Sequence, residues 1–160
     1  MKKSRITIKI ADISYGNDIE ILSSQISEFP FPRRFSPWFE NPYEIQERIE
    51  NKKIIIAEDA SYNKVVGYLA FDINSNFIDI DTVIVDKDHK RNGIGSKLMK
   101  YFISNIAKKN KNITKITTGS YKCFKDKGFY LKMGFKLIPL GEYEREDQID
   151  WWEFERVILK

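Results

Sequence analysis

The residues most suggestive of chemistry are two glycines, Gly93 and Gly95, which follow an apolar run and precede a stretch with helical periodicity. A glycine-rich turn between a strand and a helix commonly binds phosphate. The free backbone N–H groups and the positive end of the helix dipole both point at the anion there. The turn from Lys90 to Ser96 therefore predicts a site for the diphosphate of a nucleotide-like cofactor.

Two common nucleotide-binding motifs do not fit this turn. A dinucleotide fingerprint needs a third glycine three residues after Gly95, where the chain has Leu98. A P-loop needs four residues between its glycines, whereas Ile94 alone separates Gly93 from Gly95. The strands before the turn also have the pattern of a hairpin meander, without a parallel βαβ unit.

A second motif lies further along the chain, at the end of a short predicted helix, and has the form F-Y-x-K-x-G-F: Phe129, Tyr130, Lys132, Gly134 and Phe135. Together with the glycine turn it resembles the GNAT superfamily of N-acetyltransferases, whose acetyl-CoA motif is R/Q-x-x-G-x-G/A. Lys90 stands where that family usually has Arg or Gln, with Arg91 beside it. The order of the motifs and elements matches the family over nearly the whole chain.

The resemblance implies that acetyl-CoA is the acyl donor. Backbone N–H groups of the turn would bind its pyrophosphate, and the end of the central strand would splay from the next strand and pair with the pantetheine arm, a form of edge addition. The residues that the resemblance assigns to the donor are Val83, Ile84, Val85, Lys90, Arg91, Asn92, Gly93, Ile94, Gly95, Ser96 and Tyr130.

The resemblance also implies direct attack by an amine in a ternary complex. A lysine-like amine, with a pKa of about 10.4, is almost fully protonated at neutral pH, so a base helps. Asp79 and Asp81 are the candidate bases because alternate residues of a strand share one face. Asp79 also precedes Lys90 by the spacing at which histone-acetylating relatives carry their glutamate base. Alternatively, both aspartates are only solvated or hydrogen-bonded on a half-exposed strand.

Tyr130 is the predicted acid, because the family's tyrosine lies near the sulfur and can protonate the departing thiolate. Its ordinary pKa of about 10 keeps it protonated at neutral pH. The alternative is an aromatic core residue. His89 lies in the turn and is a poor candidate base, and Cys123 is expected to be a small packed residue. One histidine and one cysteine give no reason to expect a metal site.

Two segments are expected to flank the acceptor, residues 29–40 and 141–152. Arg33 and Arg34 could bind a carboxylate, and three tryptophans (Trp38, Trp151 and Trp152) could contact an apolar or cationic group. Five acids could attract a cationic amine: Glu142, Glu144, Glu146, Asp147 and Asp150.

We expect a small-molecule amine or an exposed protein amine as the acceptor. Two alternatives stay open. One is a dedicated protein N-terminal or lysine acetyltransferase with a peptide groove. The other is a non-catalytic acyl-CoA-binding sensor or partner domain.

Composition limits the number of domains and the classes of partner that the chain can have. The chain has 160 residues, 42% hydrophobic and 31% charged, with a formal net charge of +4, which predicts one globular domain over residues 1–160. No apolar run approaches the roughly 20 residues that cross a bilayer, and the dispersed charge does not favour a nucleic-acid partner. Cys123 is the single cysteine, which suits a reducing cytoplasm. The oligomeric state stays open between monomer and homodimer.

The periodicity predicts strands at 5–11, 53–58, 65–72, 77–85, 114–118, 135–140 and 152–159 and helices at 18–27, 43–51, 94–109 and 124–133. Asn41 is a candidate N-cap, and Pro42 would take the first helical position of the second helix. The expected fold is α/β (α+β), with a GNAT-like mixed, mostly antiparallel central sheet of six to seven strands flanked by about four helices.

Overall fold

The computed structural model describes residues 5–28, 41–139 and 151–159. Seven strands form one sheet in the order β1-β2-β3-β4-β5-β7-β6, in which only the β4–β5 pair is parallel. The strands are β1 Ile6–Ile10, β2 Ile54–Asp59, β3 Lys64–Ile73, β4 Phe77–Val85, β5 Lys115–Tyr121, β6 Lys136–Ile138 and β7 Trp151–Val157.

The described residues form four α-helices that cover the sheet: α1 Gly16–Ser24, α2 Pro42–Glu50, α3 Ile94–Phe102 and α4 Lys127–Lys132. The mixed, mostly antiparallel sheet with four helices confirms the predicted fold class. Asn41 caps α2 by accepting a hydrogen bond from Tyr43 N at 3.0 Å, with Pro42 at the first helical position. Within the described ranges, no helix is long and apolar enough to cross a membrane.

The sheet buries a different core on each face. On one face, which we call the α3 face, α3 and α4 pack on β2–β5 through residues such as Leu98, Phe102 and Tyr130. On the other, the α2 face, α1 and α2 pack through residues such as Ile19 and Ile45. The sheet therefore separates the glycine turn and α4 from the side chains that α2 presents.

A β-bulge in β4 changes which side chains reach each face. Ala70 of β3 pairs with Thr82 and Phe71 pairs with Ile80, so Asp81 is the extra residue. Before the bulge Ile80 packs in the α3-face core, and after it Val83 packs there too. The simple alternation of the sequence does not predict this shift, because the bulge depends on pairing with β3.

The parallel β4–β5 pair opens into a fork. Its last paired residues are Ile80 and Thr118, whereas β5 continues along β7 as far as the Tyr121–Trp151 pair. Asp81–Val85 of β4 and Gly119–Tyr121 of β5 form the two sides of the fork. Among the described residues, no strand pairs with Asp81–Val85 on the β5 side.

Gly67 of β3 allows the close contact that holds α3 against the sheet. A Cβ added there would lie 2.9 Å from Ile84 O, 3.2 Å from Ile94 Cγ2 and 3.3 Å from Leu98 Cδ1. We expect Gly67→Ala to lower the free energy of unfolding by about 1–3 kcal/mol, the usual cost of overpacking, measured by urea denaturation.

Gly128→Ala is the matched control for that change. Nothing lies within 4 Å of a Cβ built on Gly128, which is inside α4. Alanine should be neutral or slightly stabilising there, because glycine is the poorer helix former. Equal stability of the two variants would show that Gly67 does not limit packing.

Candidate active site

The predicted phosphate turn joins β4 to α3 and is exposed from Lys90 to Gly93. Arg91 and Gly93 both have positive φ, 64° and 73°, and α3 begins at Ile94. No atom of the described residues lies within 4 Å of a Cβ built on Gly93. The first amides of α3 therefore lie beside open space, which fits an anion at a helix N-terminus.

At position 95 the packing of neighbouring side chains, and not the backbone conformation, favours glycine. A Cβ added there would lie 3.3 Å from Phe129 Cε2 and 3.7 Å from Val85 Cγ2. The absence of a side chain lets the first turn of α3 pack on the ring of Phe129. The two sequence motifs are thus in direct contact, through Gly95 of the first and Phe129 of the second.

Asp86 directly follows β4 and is buried, with 1% of its surface exposed. Its side chain holds the turn through polar contacts. It accepts hydrogen bonds from Gln25 Nε2 and Lys64 Nζ, both at 3.1 Å, and His89 Nδ1 lies 3.1 Å from its Oδ2. Burial alone would raise the pKa of Asp86, but the hydrogen bonds from Gln25 and Lys64 outweigh it and lower that pKa to about 2. His89 thus contacts a structural carboxylate of the turn.

Tyr130 lies on the α3 face at the closed end of the fork. Its ring stacks on Phe154 with centroids 4.9 Å apart, and the side chain is 4% exposed. Burial raises the pKa of Tyr130, the charge of Asp126 raises it further, and a hydrogen bond with the Thr118 side chain opposes the shift. Thr118 donates to Ile80 O at 2.9 Å, so Tyr130 adjoins the last pair before the fork.

The two predicted bases lie on the opposite, α2 face. Thr117 Oγ1 donates to Asp79 Oδ1 at 2.5 Å, and burial raises the pKa of Asp79. Asp81 stands at the bulge and contacts the guanidinium of Arg48 from α2. Burial raises the pKa of Asp81 to about 6; Arg48 opposes this, and Asp72 and Asp79 add to it.

The structure adds polar residues that the sequence motifs do not contain. Arg48 Nη2 lies 2.8 Å from Asp72 Oδ2, and Lys53 Nζ lies 2.8 Å from Asp72 Oδ1. Asp72 is opposite Asp79 in the β3–β4 register. Hairpin register could have paired these two aspartates from sequence, but nothing local indicates that Arg48 of α2 contacts Asp72 and Asp81.

Asp126 is a further residue that sequence reasoning missed. It occupies the N-cap position of α4, yet its side chain makes no cap hydrogen bond there. Ser120 Oγ donates to its Oδ2 at 2.6 Å, whereas Oδ1 is buried with no hydrogen-bond partner among the described residues. Burial raises the pKa of Asp126. A buried acceptor of this kind, on the β5 side of the fork, fits an N–H or O–H of a ligand.

The residues predicted to bind the pantetheine arm form the β4 side of the fork. Val83 and Val85 are half-buried on the α3 face, and Ile84 is buried in the α2-face core. Ile94 of the turn is buried in the α3-face core, and Gly95 and Ser96 are half-buried.

Of the predicted acceptor residues, only the last two tryptophans are described. The Trp151 ring covers Gly119, where a Cβ would lie 2.1 Å from Trp151 Cζ2, and it packs edge-on against Tyr121. Lys127 Nζ lies 5.8 Å from the centroid of the Trp152 ring. The other candidates lie outside the described residues: Arg33, Arg34, Trp38, Glu142, Glu144, Glu146, Asp147 and Asp150.

Comparison with known proteins identifies the family. Residues 20–157 match the family model for the acetyltransferase (GNAT) domain. Because this match spans most of the chain, the chain belongs to the GNAT acetyltransferase family. The predicted family, the acyltransferase class and acetyl-CoA as the donor are thereby confirmed.

Solved structures share the fold. A GNAT-family acetyltransferase from Staphylococcus aureus Mu50 is 24% identical, with a TM-score of 0.74 over 96% of this chain and 99% of that one. The PaiA N-acetyltransferase of Thermoplasma acidophilum, in complex with coenzyme A, is 13% identical, with a TM-score of 0.76 over 96% and 99%. N-acetylglutamate synthase from Neisseria gonorrhoeae is 16% identical, with a TM-score of 0.72 over 99% of this chain and 36% of that one. No curated protein matches the chain.

Proposed function

We propose that this acetyltransferase transfers the acetyl group of acetyl-CoA to a primary amine, by direct attack in a ternary complex within one domain of residues 1–160. The observation that carries the proposal is the fork. β4 loses its β5 partner after Ile80 and runs on into the exposed turn of α3. Backbone groups of β4 and open helix amides thus follow one another along a single path, as a long, phosphate-bearing donor requires.

Two groups of residues would hold the donor. The amides of Arg91 to Ser96 would bind the diphosphate, beside the exposed side chains of Lys90 and Asn92. Val83–Val85 would pair with the pantetheine arm. On the other side of the fork, the unpaired Oδ1 of Asp126 would accept a hydrogen bond from an amide N–H of that arm.

The proton-transfer residues in this proposal lie on opposite faces of the sheet. Acetyl-CoA supplies the thioester: the amine nitrogen, after its ammonium form has lost one proton, bonds to the acetyl carbon, the carbon–sulfur bond breaks with its electron pair going to sulfur, and sulfur gains a proton. The nitrogen loses a second N–H proton as the amide forms, and a proton returned through solvent restores the one that Tyr130 gives to sulfur. Asp79 or Asp81 would take the proton from the acceptor ammonium on the α2 face. Tyr130 would supply the proton for sulfur from the α3 face, since its raised pKa keeps it protonated at neutral pH.

The charges of the α2 face support a cationic acceptor. A polar cavity of about 310 Å³ opens there, and its lining carries three acids and two bases: Glu44, Glu47 and Asp72, with Arg48 and Lys53. Asp81 contacts the lining residue Arg48, and Asp79 is opposite the lining residue Asp72 in the strand register. A small-molecule amine and an exposed protein amine both carry the matching positive charge.

Acetyl-CoA should stabilise the fold measurably. At about 100 times its Kd it should add about 2.7 kcal/mol to the free energy of unfolding, seen as a rise in Tm. NAD is a suitable control nucleotide, because the turn lacks the third glycine of a dinucleotide site. A failure of every acyl-CoA to raise Tm would refute the proposed donor site.

Thiol release from acetyl-CoA with a panel of acceptors then separates the functional classes. The panel contains three kinds of acceptor: small amines, peptides with a free N-terminus and peptides with an internal lysine. Turnover restricted to peptides would indicate the dedicated protein acetyltransferase. Stabilisation by acetyl-CoA without turnover of any amine would indicate the acyl-CoA sensor instead.

A further inference from the structure

Arg48 joins two carboxylates that belong to different strands. Its Nη2 lies 2.8 Å from Asp72 Oδ2 of β3 and also contacts Asp81 Oδ2 of β4, while Nη1 donates to Phe71 O at 3.3 Å. The Arg48 side chain is 15% exposed. A half-buried guanidinium with a carboxylate on either side is held in one orientation and acts on both at short range.

The charges around this contact are unbalanced. Three carboxylates face the guanidinium from β3 and β4: Asp72, Asp79 and Asp81. Lys53, just before β2, pairs with Asp72, which leaves Arg48 as the cation in contact with Asp81 among the described residues. In the described part of the chain, the other ionisable groups nearby are the buried hydroxyl of Tyr68 on β3 and the acids Glu44 and Glu47 on α2.

Asp81 is therefore the carboxyl most sensitive to its counter-ion. Its burial and the like charges of Asp72 and Asp79 favour the protonated form, and Arg48 is the described residue that opposes them. A protonated Asp81 could not accept a proton from an ammonium group. The ionisation of Asp81 thus depends on a residue of another element.

Asp81 also has the better position of the two candidate bases. It is the first residue of β4 beyond the last β4–β5 pair, at the closed end of the fork. Asp79 lies within the paired part of the strand and accepts from Thr117 across the ladder. An acceptor amine that meets the donor at the closed end of the fork would reach Asp81 before Asp79.

We propose that Arg48 is a positioning residue that keeps Asp81 ionised at neutral pH, so that Asp81, rather than Asp79, takes the proton of the acceptor ammonium. The N–H bond breaks, its electron pair stays on nitrogen as the attacking lone pair, and an O–H bond forms on Asp81. This inference rests on the proposed acetyl transfer, but the charge relation between Arg48 and Asp81 can be measured without turnover.

The first test titrates the Asp81 carboxyl directly by carbon NMR in the protein without ligands, with Asp81→Asn to assign the signal. Arg48→Met should move the titration of Asp81 upward by about 1–3 pH units, since it removes an adjacent opposite charge. Asp72→Asn should move it downward, because it removes a like charge. Shifts of opposite sign support the proposal, and an unmoved Asp81 signal in Arg48→Met overturns it.

Matched variants separate charge from folding. Arg5→Met removes an exposed positive charge at the start of β1 and should leave the Asp81 titration unchanged. Arg48→Lys keeps the charge without the two-sided contact and should give a smaller shift than Arg48→Met. If Arg48→Met does not fold, Arg48→Lys and Asp72→Asn still show whether the Asp81 titration moves in the expected directions.

The second test uses turnover. Asp81→Asn should lower kcat by about 10²–10⁴-fold, whereas Asp79→Asn should cost less than about tenfold and move the acid limb of the pH–rate profile downward. Arg48→Met should move that limb upward with the KM for acetyl-CoA unchanged. A larger loss in Asp79→Asn than in Asp81→Asn would overturn the assignment. Absence of turnover in the unmodified protein would count against the proposed function but not against the charge relation between Arg48 and Asp81, because the NMR titration does not depend on turnover.

Discussion

Tyr130→Phe should lower kcat by about 10²–10⁴-fold and leave the affinity for acetyl-CoA almost unchanged. The change removes one hydroxyl group from a ring that otherwise keeps its stacking on Phe154 and its edge contact with Phe135. The hydroxyl adjoins Thr118 at the last β4–β5 pair, where the thioester would meet the sheet. The donor's diphosphate would lie at the separate turn before α3. This variant should therefore lose proton transfer to sulfur while it keeps the binding of acetyl-CoA.

The measurement is steady-state kinetics paired with calorimetric titration of acetyl-CoA. Tyr101→Phe is the matched control, because it removes a half-buried hydroxyl from α3 away from the fork. Loss of the Tyr130 hydrogen bond should itself lower the free energy of unfolding by only about 0.5–1.5 kcal/mol. Unchanged turnover, or equal losses of turnover and acetyl-CoA affinity, would make Tyr130 a core residue without a proton-transfer role.

Local patterns predicted the architecture because most of the strands have local signals. The hairpin turns around Asn63 and Asn74–Asn76 separate runs of apolar residues, and the structure has β2, β3 and β4 at nearly the predicted residues. Departures occur where the chain takes a conformation that the residue type does not indicate. Lys125 has a φ of 55°, so a short turn at Lys122–Phe124 precedes α4, where the sequence predicted one helix from residue 124. A glycine there would have indicated the break.

The residues of the candidate site also divide into those that local sequence predicts and those that it does not. The glycine turn and the Tyr130 motif each lie within a few residues of sequence, so their spacing alone predicted them. The contact of Arg48 with Asp81 joins a helix to a strand far along the chain, and it also depends on the bulge at Asp81. Neither the helical period of α2 nor the alternation of β4 contains that information. Tertiary packing therefore determines which charges surround the two candidate bases.

Gly93→Val should weaken acetyl-CoA binding by about tenfold or more. Gly93 has a φ of 73° and directly precedes α3, in a region of backbone conformation that β-branched residues avoid. Holding valine there costs about 1–3 kcal/mol, so the turn either stores this strain or moves its amides away from the anion site. Calorimetric titration of acetyl-CoA measures the loss, and Tm of the protein without ligand reports the strain.

Gly93→Asn distinguishes the conformation of this residue from the space beside it. Asparagine adopts the left-handed region far more readily than valine, and nothing lies within 4 Å of a Cβ at this position. Near-normal binding by Gly93→Asn together with weak binding by Gly93→Val would mean that the turn needs a left-handed residue to aim its amides. Equal weakening in both variants would mean that the diphosphate itself occupies the space of the Cβ. Normal binding by Gly93→Val with a lowered Tm of the protein without ligand would mean that the turn stores the strain without moving its amides, and it would contradict the expected loss of binding.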